Sequence, residues 1–441
     1  MSTLRITLQP SQYNVKLELG AIANIYDVTS TPKKDKKSLR DQIIRDVTDI
    51  NLDPGKYLVE AILPSGEAVY DEVNLTDQNE TKDIVIGTRS PHEWLAMQHF
   101  IGNTRRKVVS DSSIWYSRSR TFTRDALPVQ VKAETISVPT QQPSFFTHSW
   151  GVLESYFQES RSSLQIPPGR ALSTLTNYLS GPSIHAFQPT ITDQYERVFE
   201  FTSQVLANNQ NYFHIDYQSQ NFVRHYLVIS ADSLVPQYCV LPVPWIQDYN
   251  QELTIQVLVN LPASISSRDS CSVSIAIPDR RVGAVIGYLG SGLLPTAQKL
   301  VKTATDMFYD KMVNPLAAAA GAYVMVFAEQ SREQEVWHQW VQNLMNWFTW
   351  LPDGAILHAW LKLTYGNKGD LIEARRSLLE AYRRGLPFYS KGVKMLLDGL
   401  TLFANDANHS DSEIEDALRV VRRVAMNTNM RQPFTTVSLS Q

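Results

Sequence analysis

The sequence predicts an α+β protein of several domains: an N-terminal β-sandwich, a central antiparallel β-domain and a C-terminal helical domain. Short strand-like segments separated by turn residues occur up to residue 89 and again from 195 to 281. Apolar residues recur every three or four positions from 282 to 426, which is the helical period. The length of 441 residues suits two or three domains of roughly 100 to 200 residues each.

The N-terminal segment, residues 1–89, predicts a β-sandwich. Residues 52–57 read LDPGKY, a turn leading into a strand at 57–63, and PSGE at 64–67 turns the chain again. Further short strands are predicted at 73–75 and 84–86, with the even spacing of an all-β sandwich. The phrase from LDPGKY to LPSGE resembles the small sandwich domains similar to the regulatory domain of carboxypeptidases. That resemblance implies a fold used as an adaptor or spacer, and implies no activity.

Residues 90–194 predict a long connection with local elements. This segment is rich in Ser, Thr, Gln and Pro, and QQPSFF and IPPGR interrupt any regular period. One helical piece is predicted near 171–179. Because exposed, flexible segments are preferred cleavage sites, residues 135–165 are also a candidate target for a partner peptidase.

The central segment, residues 195–281, predicts an antiparallel sheet. Five strand-like segments separated by polar turns occur at 198–201, 212–217, 226–229, 253–258 and 273–277. From 282 onward the pattern becomes helical.

The helical domain is predicted from residue 282 to residue 426. A first buried helix covers NPLAAAAGAYVMVF, and a second has its large apolar residues on one face, which we expect to be buried: Trp337, Trp340, Leu344, Trp347 and Leu351. LPDG at 351–354 predicts a turn, with a new helix from about Ala355. Two further amphipathic helices joined by RGLPFYSKG resemble a tetratricopeptide-like hairpin. A last helix follows the acidic start DSEIED, and the tail 427–441 is predicted to be mobile or docked as a short strand.

Composition excludes several classes of protein. A net charge of −3 and a pI near 6.3 argue against general nucleic-acid binding, so the basic clusters at 33–37 and 105–107 are interpreted as solvated loops. Two cysteines and the absence of an apolar leader predict a cytoplasmic protein. The longest apolar segment has about 13 residues, fewer than the ~20 that span a bilayer. No phosphate-binding loop, GxGxxG, CxxC or HExxH pattern occurs, so no cofactor is predicted.

His225 and Cys271 are the first candidates for chemistry. They follow the order of a caspase-like dyad, with Asp269 two residues before the cysteine. In caspase-like peptidases, however, the histidine precedes a turn and the cysteine follows a strand. Here a strand follows His225, and Cys271 precedes its strand. A buried structural cysteine is therefore the favoured interpretation.

Two other sets of polar residues are also interpreted as structural. His214 and Asp216 lie on one strand face with His225 nearby, but a metal site needs a further ligand fixed in geometry. The carboxylates among the helices occupy helix starts and exposed faces, and Asp370 is interpreted as a cap: Asp353, Asp370, Glu373 and Glu380. We predict no catalytic or metal-binding residue, and hence no enzyme.

The tryptophans provide the candidate partner-binding residues. Five of them could form a stacking platform for sugars or bases, but their helical spacing favours core packing: Trp337, Trp340, Trp347, Trp350 and Trp360. Trp350 and Trp360 lie off the main stripe, and exposed tryptophans tend to anchor interfaces. Together with Arg383 and Arg384 they are the predicted partner-binding residues.

A second resemblance concerns residues ~280–405. The segments NPLAAAAGAY, LPDGAIL and EARRSLLEAYRRGLP look like those of uncharacterised bacterial proteins, or accessory regions, that accompany caspase-like and trypsin-like peptidases in multi-component systems, defence systems among them. The resemblance implies partner subunits and identifies no active-site residue.

These observations predict a non-catalytic adaptor or scaffold subunit of a bacterial complex. Its predicted partners are other protein subunits, a peptidase among the candidates, or further copies of itself, with no nucleic acid and no membrane span. The alternatives are a cysteine peptidase using His225 and Cys271, a glycan-binding β-sandwich protein, and a proteolytic target of a partner peptidase.

Overall fold

The computed structural model describes the chain in segments. They are residues 2–8, 21–27, 40–44, 47–62, 68–76, 81–86, 131–139, 183–192, 196–206, 222–231, 234–247, 251–260, 272–277, 311–327, 335–367, 370–406, 411–430 and 432–439, with single residues at 150, 153, 154, 156, 157, 279, 282, 285, 286, 289 and 307. The described part confirms a mixed α+β architecture, with sheets before the helices.

Seven strands form two sheets near the N-terminus. The strands are β1 (Ser2–Leu8), β2 (Ala21–Asp27), β3 (Arg40–Ile44), β4 (Val47–Leu52), β5 (Gly55–Ile62), β6 (Ala68–Leu75) and β7 (Thr81–Ile86). One sheet has the order β4-β1-β7, with β1 and β7 parallel, and the other is antiparallel with the order β3-β2-β5-β6. Each sheet contributes fully buried apolar residues, such as Leu4 and Ile6 from the first and Ile25 and Val59 from the second.

A buried tyrosine fixes the turn between β4 and β5. The hydroxyl of Tyr57 donates a hydrogen bond of 2.8 Å to the backbone oxygen of Asp53, four residues earlier. A Cβ added at Gly55 would lie 3.3 Å from that hydroxyl, so the chain passes close to the ring. This contact is a tyrosine corner of the kind that sandwich domains use, and it explains why the LDPGKY turn leads directly into a strand.

The central region contains a five-stranded sheet of order β18-β13-β12-β8-β9 and a four-stranded sheet of order β10-β11-β16-β17. Their strands are β8 (Val131–Pro139), β9 (Ser183–Phe187), β10 (Ile191–Thr192), β11 (Glu196–Phe201), β12 (Val223–Ala231), β13 (Leu234–Leu241), β16 (Ile255–Asn260), β17 (Ser272–Ala276) and β18 (Thr436–Ser438), with a small ribbon of β14 (Ile246–Gln247) and β15 (Gln251–Glu252). Four predicted strands, at 198–201, 226–229, 253–258 and 273–277, are confirmed. The fifth, at 212–217, lies outside the described residues, as does the helix predicted near 171–179.

One structural expectation for residues 135–165 is wrong. Strand β8, which begins that segment, lies in the middle of the five-stranded sheet between β12 and β9, and Thr135 is fully buried. Trp150 and Tyr156 are buried as well, and the Trp150 indole donates 2.9 Å to the backbone oxygen of Tyr382. These parts of the segment are therefore not the exposed chain that a peptidase prefers. The C-terminal tail was predicted to be either mobile or docked as a short strand. It is docked, because β18 pairs with β13.

Six helices follow along the described residues from 315 to 427: α1 (Pro315–Phe327), α2 (Glu335–Trp347), α3 (Pro352–Tyr365), α4 (Asp370–Arg383), α5 (Ser390–Ala404) and α6 (Ser412–Asn427). The helical patterns read from the sequence are confirmed from 315 to 427, while most of residues 283–310 lie outside the described part of the chain. Helix α3 packs most extensively against α4, and α5 against α6, while α4 and α5 also contact each other. None of the helices in the described part is both long and apolar enough to cross a membrane.

Two details of the helical prediction are corrected. Helix α3 begins at Pro352, three residues before the predicted Ala355, because proline is favoured in the first helical turn, where its missing N–H costs nothing. Trp347 was expected on the buried face of its helix, yet 42 % of it is exposed. The buried face is centred on residues such as Val341 and Phe348. Successive residues of an α-helix lie about 100° apart around its axis, so Trp347, one residue before the buried Phe348, faces solvent.

One continuous core joins the sheets and the helices. It runs from Ala133 to Leu439 and includes residues of both central sheets and all six helices. Phe187 of the five-stranded sheet meets Phe201 of the four-stranded sheet edge to face, at 5.2 Å between ring centroids. The helical part is therefore bound into the central β-structure by a shared apolar interior.

Candidate interaction surface

The connection between α4 and α5, residues 384–389, is buried along its whole length. Helix α4 ends at Arg383, and Gly385 just beyond it has a φ of 93°, the left-handed conformation that favours glycine after a helix C-terminus. The three residues Leu386, Phe388 and Tyr389 are at most 1 % exposed. Groups from distant parts of the sequence bind the backbone of this connection.

Asp353 in the first turn of α3 is one such group, and it is fully buried. Its carboxylate accepts hydrogen bonds from the Tyr323 hydroxyl at 2.7 Å and from the backbone N–H groups of Phe388 at 2.8 Å and Tyr389 at 3.3 Å. Burial raises the pKa of Asp353, although these hydrogen bonds oppose the shift. A Cβ at Gly392 would lie 2.5 Å from the Tyr323 hydroxyl oxygen, so the backbone at Gly392 packs tightly against this hydrogen-bond network.

Arg224 on β12 binds the same connection from the side of the sheet. It is fully buried, and its guanidinium donates to the backbone oxygen of Arg384 at 3.2 Å and to that of Leu386. The guanidinium also lies over the Phe388 ring, 4.5 Å from its centroid. Because no solvent reaches Asp353 or Arg224, this charged network fixes the helices on the sheet and offers no access to a substrate.

The two predicted arginines have different environments. Arg384 points inward and donates to the last backbone oxygens around the end of α2, those of Met345 at 2.9 Å, Phe348 at 3.3 Å and Leu351 at 3.3 Å. It also pairs with Glu380 at 3.0 Å. Arg383 is exposed and pairs with Glu413 of α6. Arg384 is therefore a helix cap in this structure.

The two predicted tryptophans are also engaged internally. Trp350 is 3 % exposed and stacks on Phe222, with 3.8 Å between the ring centroids. Trp360 is partly buried, and its indole N–H donates 3.1 Å to the backbone oxygen of Met395. Neither is an exposed anchor of the kind that the sequence suggested.

The candidate peptidase and metal residues lie mostly outside the described part of the chain: Asp269, Cys271, His214 and Asp216. His225 is described, and its Nδ1 lies 2.9 Å from the Ser137 hydroxyl on the neighbouring strand. Burial lowers the pKa of His225 to about 4, so the ring is neutral at pH 7. The His225 and Cys271 dyad stays a prediction.

A serine, a histidine and a glutamate also meet between α3 and α4. His358 Nδ1 lies 2.9 Å from the Ser377 hydroxyl, and His358 Nε2 lies 3.7 Å from the carboxylate of Glu373. Ser377 is 1 % exposed, and its hydroxyl lies 2.9 Å from the backbone oxygen of Glu373, one helical turn earlier. This hydroxyl is enclosed and cannot attack a substrate. The group instead ties α3 to α4.

The remaining ionisable candidates have structural partners. Asp370 accepts from the backbone N–H of Asn367 at 2.7 Å, just before the helix, and its pKa is lowered by that hydrogen bond. Lys362 lies 2.9 Å from Glu373 and 3.4 Å from Asp370. Within the described ranges, no three histidine, cysteine or acidic side chains converge as metal ligands do.

An exposed aromatic surface on α2 differs from all of these groups. We call it the Trp340–Trp347 face, and it consists of Lys311, Met312, Gln339, Trp340, Asn343 and Trp347. The Lys311 ammonium lies 5.5 Å from the Trp340 ring centroid and 5.7 Å from that of Trp347. Trp347 is 42 % exposed and Met312 44 %. The Gln339 amide donates a hydrogen bond of 3.1 Å to the Asn343 side-chain oxygen on the same helix.

The helix that carries this face has an unusual composition for a surface helix. From residue 336 to residue 352 the sequence contains four tryptophans and no Asp, Glu, Lys or Arg. Aromatic residues and methionine are enriched, and charged residues depleted, where proteins bind one another. Sequence reasoning recognised the spacing of Trp340 and Trp347 but assigned both to the core. The lack of charge on this helix was the signal that could have identified the face.

Comparison with known proteins finds a similarity in the C-terminal part of the chain. Residues 284–438 match the family model of the Y4kD C-terminal domain, which is about a third of the chain. No curated protein and no solved structure matches the chain significantly. The matched region contains the six helices, among them α2 with the exposed Trp347, and strand β18. From residue 284 to residue 438, the chain is similar to the Y4kD C-terminal domain.

Proposed function

We propose that this protein is a non-catalytic interaction subunit that binds a partner protein through the Trp340–Trp347 face. The observation that supports the proposal is the exposure of Trp347 on a helix that carries no charged residue from 336 onward. The part of a large apolar side chain that is left in water on such a helix contributes no burial in the free chain. It gains free energy when a partner covers it.

The face is held rigidly, which favours binding. The Arg384 guanidinium binds the backbone oxygens at the end of α2, and Trp350 just beyond the helix is stacked in the core. Rings that are fixed before association lose little conformational entropy when a partner docks. Trp340 and Trp347 are therefore suited to act as anchors, as tryptophans at interfaces often do.

The proposed partner is another protein subunit of a bacterial multi-component system. The resemblance of residues ~280–405 to accessory regions of peptidase systems makes a peptidase one candidate, with defence as a setting, and the cytoplasm is the proposed compartment. Self-assembly is the other form that such an interaction can take. Arg383, which is exposed beside α6, lies outside this face and is not needed for the proposal.

Co-purification tests the proposal directly. The tagged wild-type chain and the Trp340→Ala/Trp347→Ala variant would be purified from the native host, with the complex masses measured by mass photometry. Each truncated anchor costs an interface about 2 kcal/mol, so we expect at least a tenfold loss of a stoichiometric companion subunit. A matched control is Met426→Ala, which truncates a methionine that is 81 % exposed on α6.

Two outcomes would contradict the proposal. Equal recovery of the companion by the wild-type chain and the double variant would show that this face does not take part in the interaction. A wild-type chain that is monomeric and carries no companion would show that the proposed interaction does not occur. Circular dichroism and thermal unfolding would verify that the double variant is folded.

A further inference from the structure

His358 is a buried histidine at the contact between α3 and α4, and the proposed function does not use it. Only 2 % of this residue is exposed. Its Nδ1 lies 2.9 Å from the Ser377 hydroxyl, and that hydroxyl donates 2.9 Å to the backbone oxygen of Glu373. Because the hydroxyl proton is used there, the hydroxyl oxygen accepts a hydrogen bond from the Nδ1–H of a neutral ring. The ring nitrogen without a proton is therefore Nε2.

The Nε2 atom of His358 is enclosed in the same contact. It is shielded from solvent and has no hydrogen-bond partner in the described part of the chain. The Glu373 carboxylate lies 3.7 Å away, which is longer than a hydrogen bond, and its other oxygen lies 2.9 Å from the Lys362 ammonium. A proton added to Nε2 would thus place a positive charge inside the contact, where water cannot solvate it.

The charged groups around the ring act in both directions. They come from α3 and from the α4 side of the contact: Lys362, Asp370, Glu373 and Arg384. The two cations oppose a further positive charge, and the two carboxylates favour it. Burial has the largest influence, and it lowers the pKa of His358 although Glu373 opposes the shift.

The other helices that contact α3 bring no further charge to this ring. Helix α1 contains no Asp, Glu, Lys or Arg, and α2 contains none after Glu335. The titratable residue of α2 is His338, whose ring contacts Tyr365, seven residues beyond His358 on α3. Helix α5 meets α3 at Trp360, which lies about 200° around the helix axis from His358.

We infer that His358 makes the contact between α3 and α4 sensitive to acid, an inference that does not depend on the proposed function. A histidine in water takes up a proton below about pH 6.5, and local separation of the two helices lets the charged ring reach water. The loosening extends to the end of α2. The Ser377 hydroxyl lies 3.8 Å from the Met345 sulfur, and Arg384, just after α4, binds the Met345 backbone oxygen.

Acid should weaken this contact because the pKa of His358 is lower in the folded chain than in water. Such a group contributes stability that is fully present above about pH 6.5 and is lost as the pH falls toward the folded pKa. Within that interval each pH unit raises the open population by up to about tenfold. Asp353 on the same helix acts in the opposite sense, because its pKa is raised.

Hydrogen exchange of the full chain, measured by mass spectrometry at pH 7.5, 6.5 and 5.5, tests the inference. Exchange rates would be corrected for their intrinsic dependence on pH. In the wild-type chain we expect amides of α3, α4 and the end of α2 to lose protection by up to about tenfold between pH 7.5 and 5.5. His358→Asn keeps a donor for Ser377 but cannot titrate, so its protection should stay constant relative to the wild-type chain. His338→Asn, the matched control on α2, should behave like the wild-type chain.

Two further measurements do not depend on the stability of His358→Asn. Glu373→Gln removes a carboxylate that favours the charged ring, so its acid-induced loss of protection should exceed that of the wild-type chain. The Glu373 side chain is 42 % exposed, so this change leaves the core intact. In nuclear magnetic resonance spectra of histidine-labelled protein, one imidazole should titrate below pH 6.5, and its signal should be absent from His358→Asn.

The inference is overturned if protection in α3 and α4 is unchanged or rises at pH 5.5. It is also overturned if His358→Asn loses protection as the wild-type chain does. Should that variant fail to fold, an acid-induced loss in Glu373→Gln no larger than in the wild-type chain would contradict the inference. Co-purification of a companion at pH 7.5 is unaffected by these results, so failure here is distinct from failure of the proposed function.

Discussion

At the scale of single residues, the most constrained group is Asp353. Three donors from two parts of the chain, the Tyr323 hydroxyl and the N–H groups of Phe388 and Tyr389, converge on one carboxylate that no solvent reaches. A carboxylate offers several acceptor positions, whereas the amide of an asparagine offers one oxygen. The acid is therefore the residue that can satisfy all three donors, even though its burial is unfavourable.

We predict that Asp353→Asn destabilises the protein, and that the cost falls as the pH rises. The amide leaves a buried donor without an acceptor, which costs about 2 kcal/mol of the free energy of unfolding. The pKa of Asp353 is raised in the folded state, so folding retains a proton that the unfolded chain releases above about pH 4. The wild-type chain thus loses stability relative to the non-titrating asparagine as the pH rises from 4 toward the folded pKa.

Urea unfolding of both proteins at pH 4, 5.5 and 7 would check this. The substitution Asp398→Asn, at an exposed aspartate on α5, serves as the control and should change the free energy of unfolding little. If the cost of Asp353→Asn instead grew with pH, the ionised carboxylate would be the stabilising form, and the raised pKa would be wrong.

At the scale of secondary-structure elements, helix ends depend on their capping groups. Helix α6 has a local cap, because the Asp411 carboxylate accepts 3.0 Å from the backbone N–H of Ile414. The acidic start predicted for this helix is thereby confirmed. At the C-terminal end of α2 a distant side chain contributes to the cap: Arg384, which lies 33 to 39 residues later in the sequence. The position of the exposed Trp347 indole therefore depends on a contact with another helix.

Neighbouring arginines provide a paired prediction. Arg384→Ala should lower the free energy of unfolding by about 3 kcal/mol, because it removes the buried donor of the Met345 and Leu351 backbone oxygens and the partner of the Glu380 carboxylate. Arg383→Ala removes only an exposed ion pair with Glu413 and should cost less than about 1 kcal/mol. Chemical denaturation of both variants measures the difference. Equal costs would show that Arg384 does not cap α2.

At the scale of the whole molecule, the region similar to the Y4kD C-terminal domain is completed by the preceding β-structure. Strand β18 pairs with β13, the backbone N–H of Leu439 donates 2.8 Å to Pro236, and Arg224 of β12 binds the connection before α5. A fragment limited to residues 284–438 would leave the pairing groups of β18, the backbone oxygens that Arg224 binds and the apolar faces of its helices in water. The shared core from Ala133 to Leu439 would then be divided.

We therefore predict that the fragment 284–438 does not unfold cooperatively, whereas a fragment from residue 131 to 441 does. Two-state unfolding requires an intact core, and an exposed apolar interior binds hydrophobic dyes. Thermal unfolding monitored by circular dichroism, together with dye fluorescence, would distinguish the two fragments. A sharp transition of the shorter fragment, without dye binding, would show that the helices form an independent domain.

The sequence predicted elements well where local periodicity was strong and less well where a partner strand decides. The helix patterns from 315 to 427 were recognisable because each carries an apolar face at the helical period. Strand β8 was missed because its surroundings are rich in Ser, Thr and Pro, and its strand character depends on pairing with β12 and β9. The tail was ambiguous for the same reason, since three residues pair only when β13 is beside them.

The sequence by itself determined the α+β class, the order of sheets and helices, and the helical residues around the aromatic face. Only the tertiary structure decided which large side chains are buried. In the folded chain Trp350 stacks on Phe222, Arg384 caps the end of α2, and Trp347 is exposed beside Lys311. The physical reason is that periodicity records the face of one helix, whereas burial depends on which other elements cover that face. Those elements lie far away in the sequence, so the candidate surface was defined by packing across the whole fold.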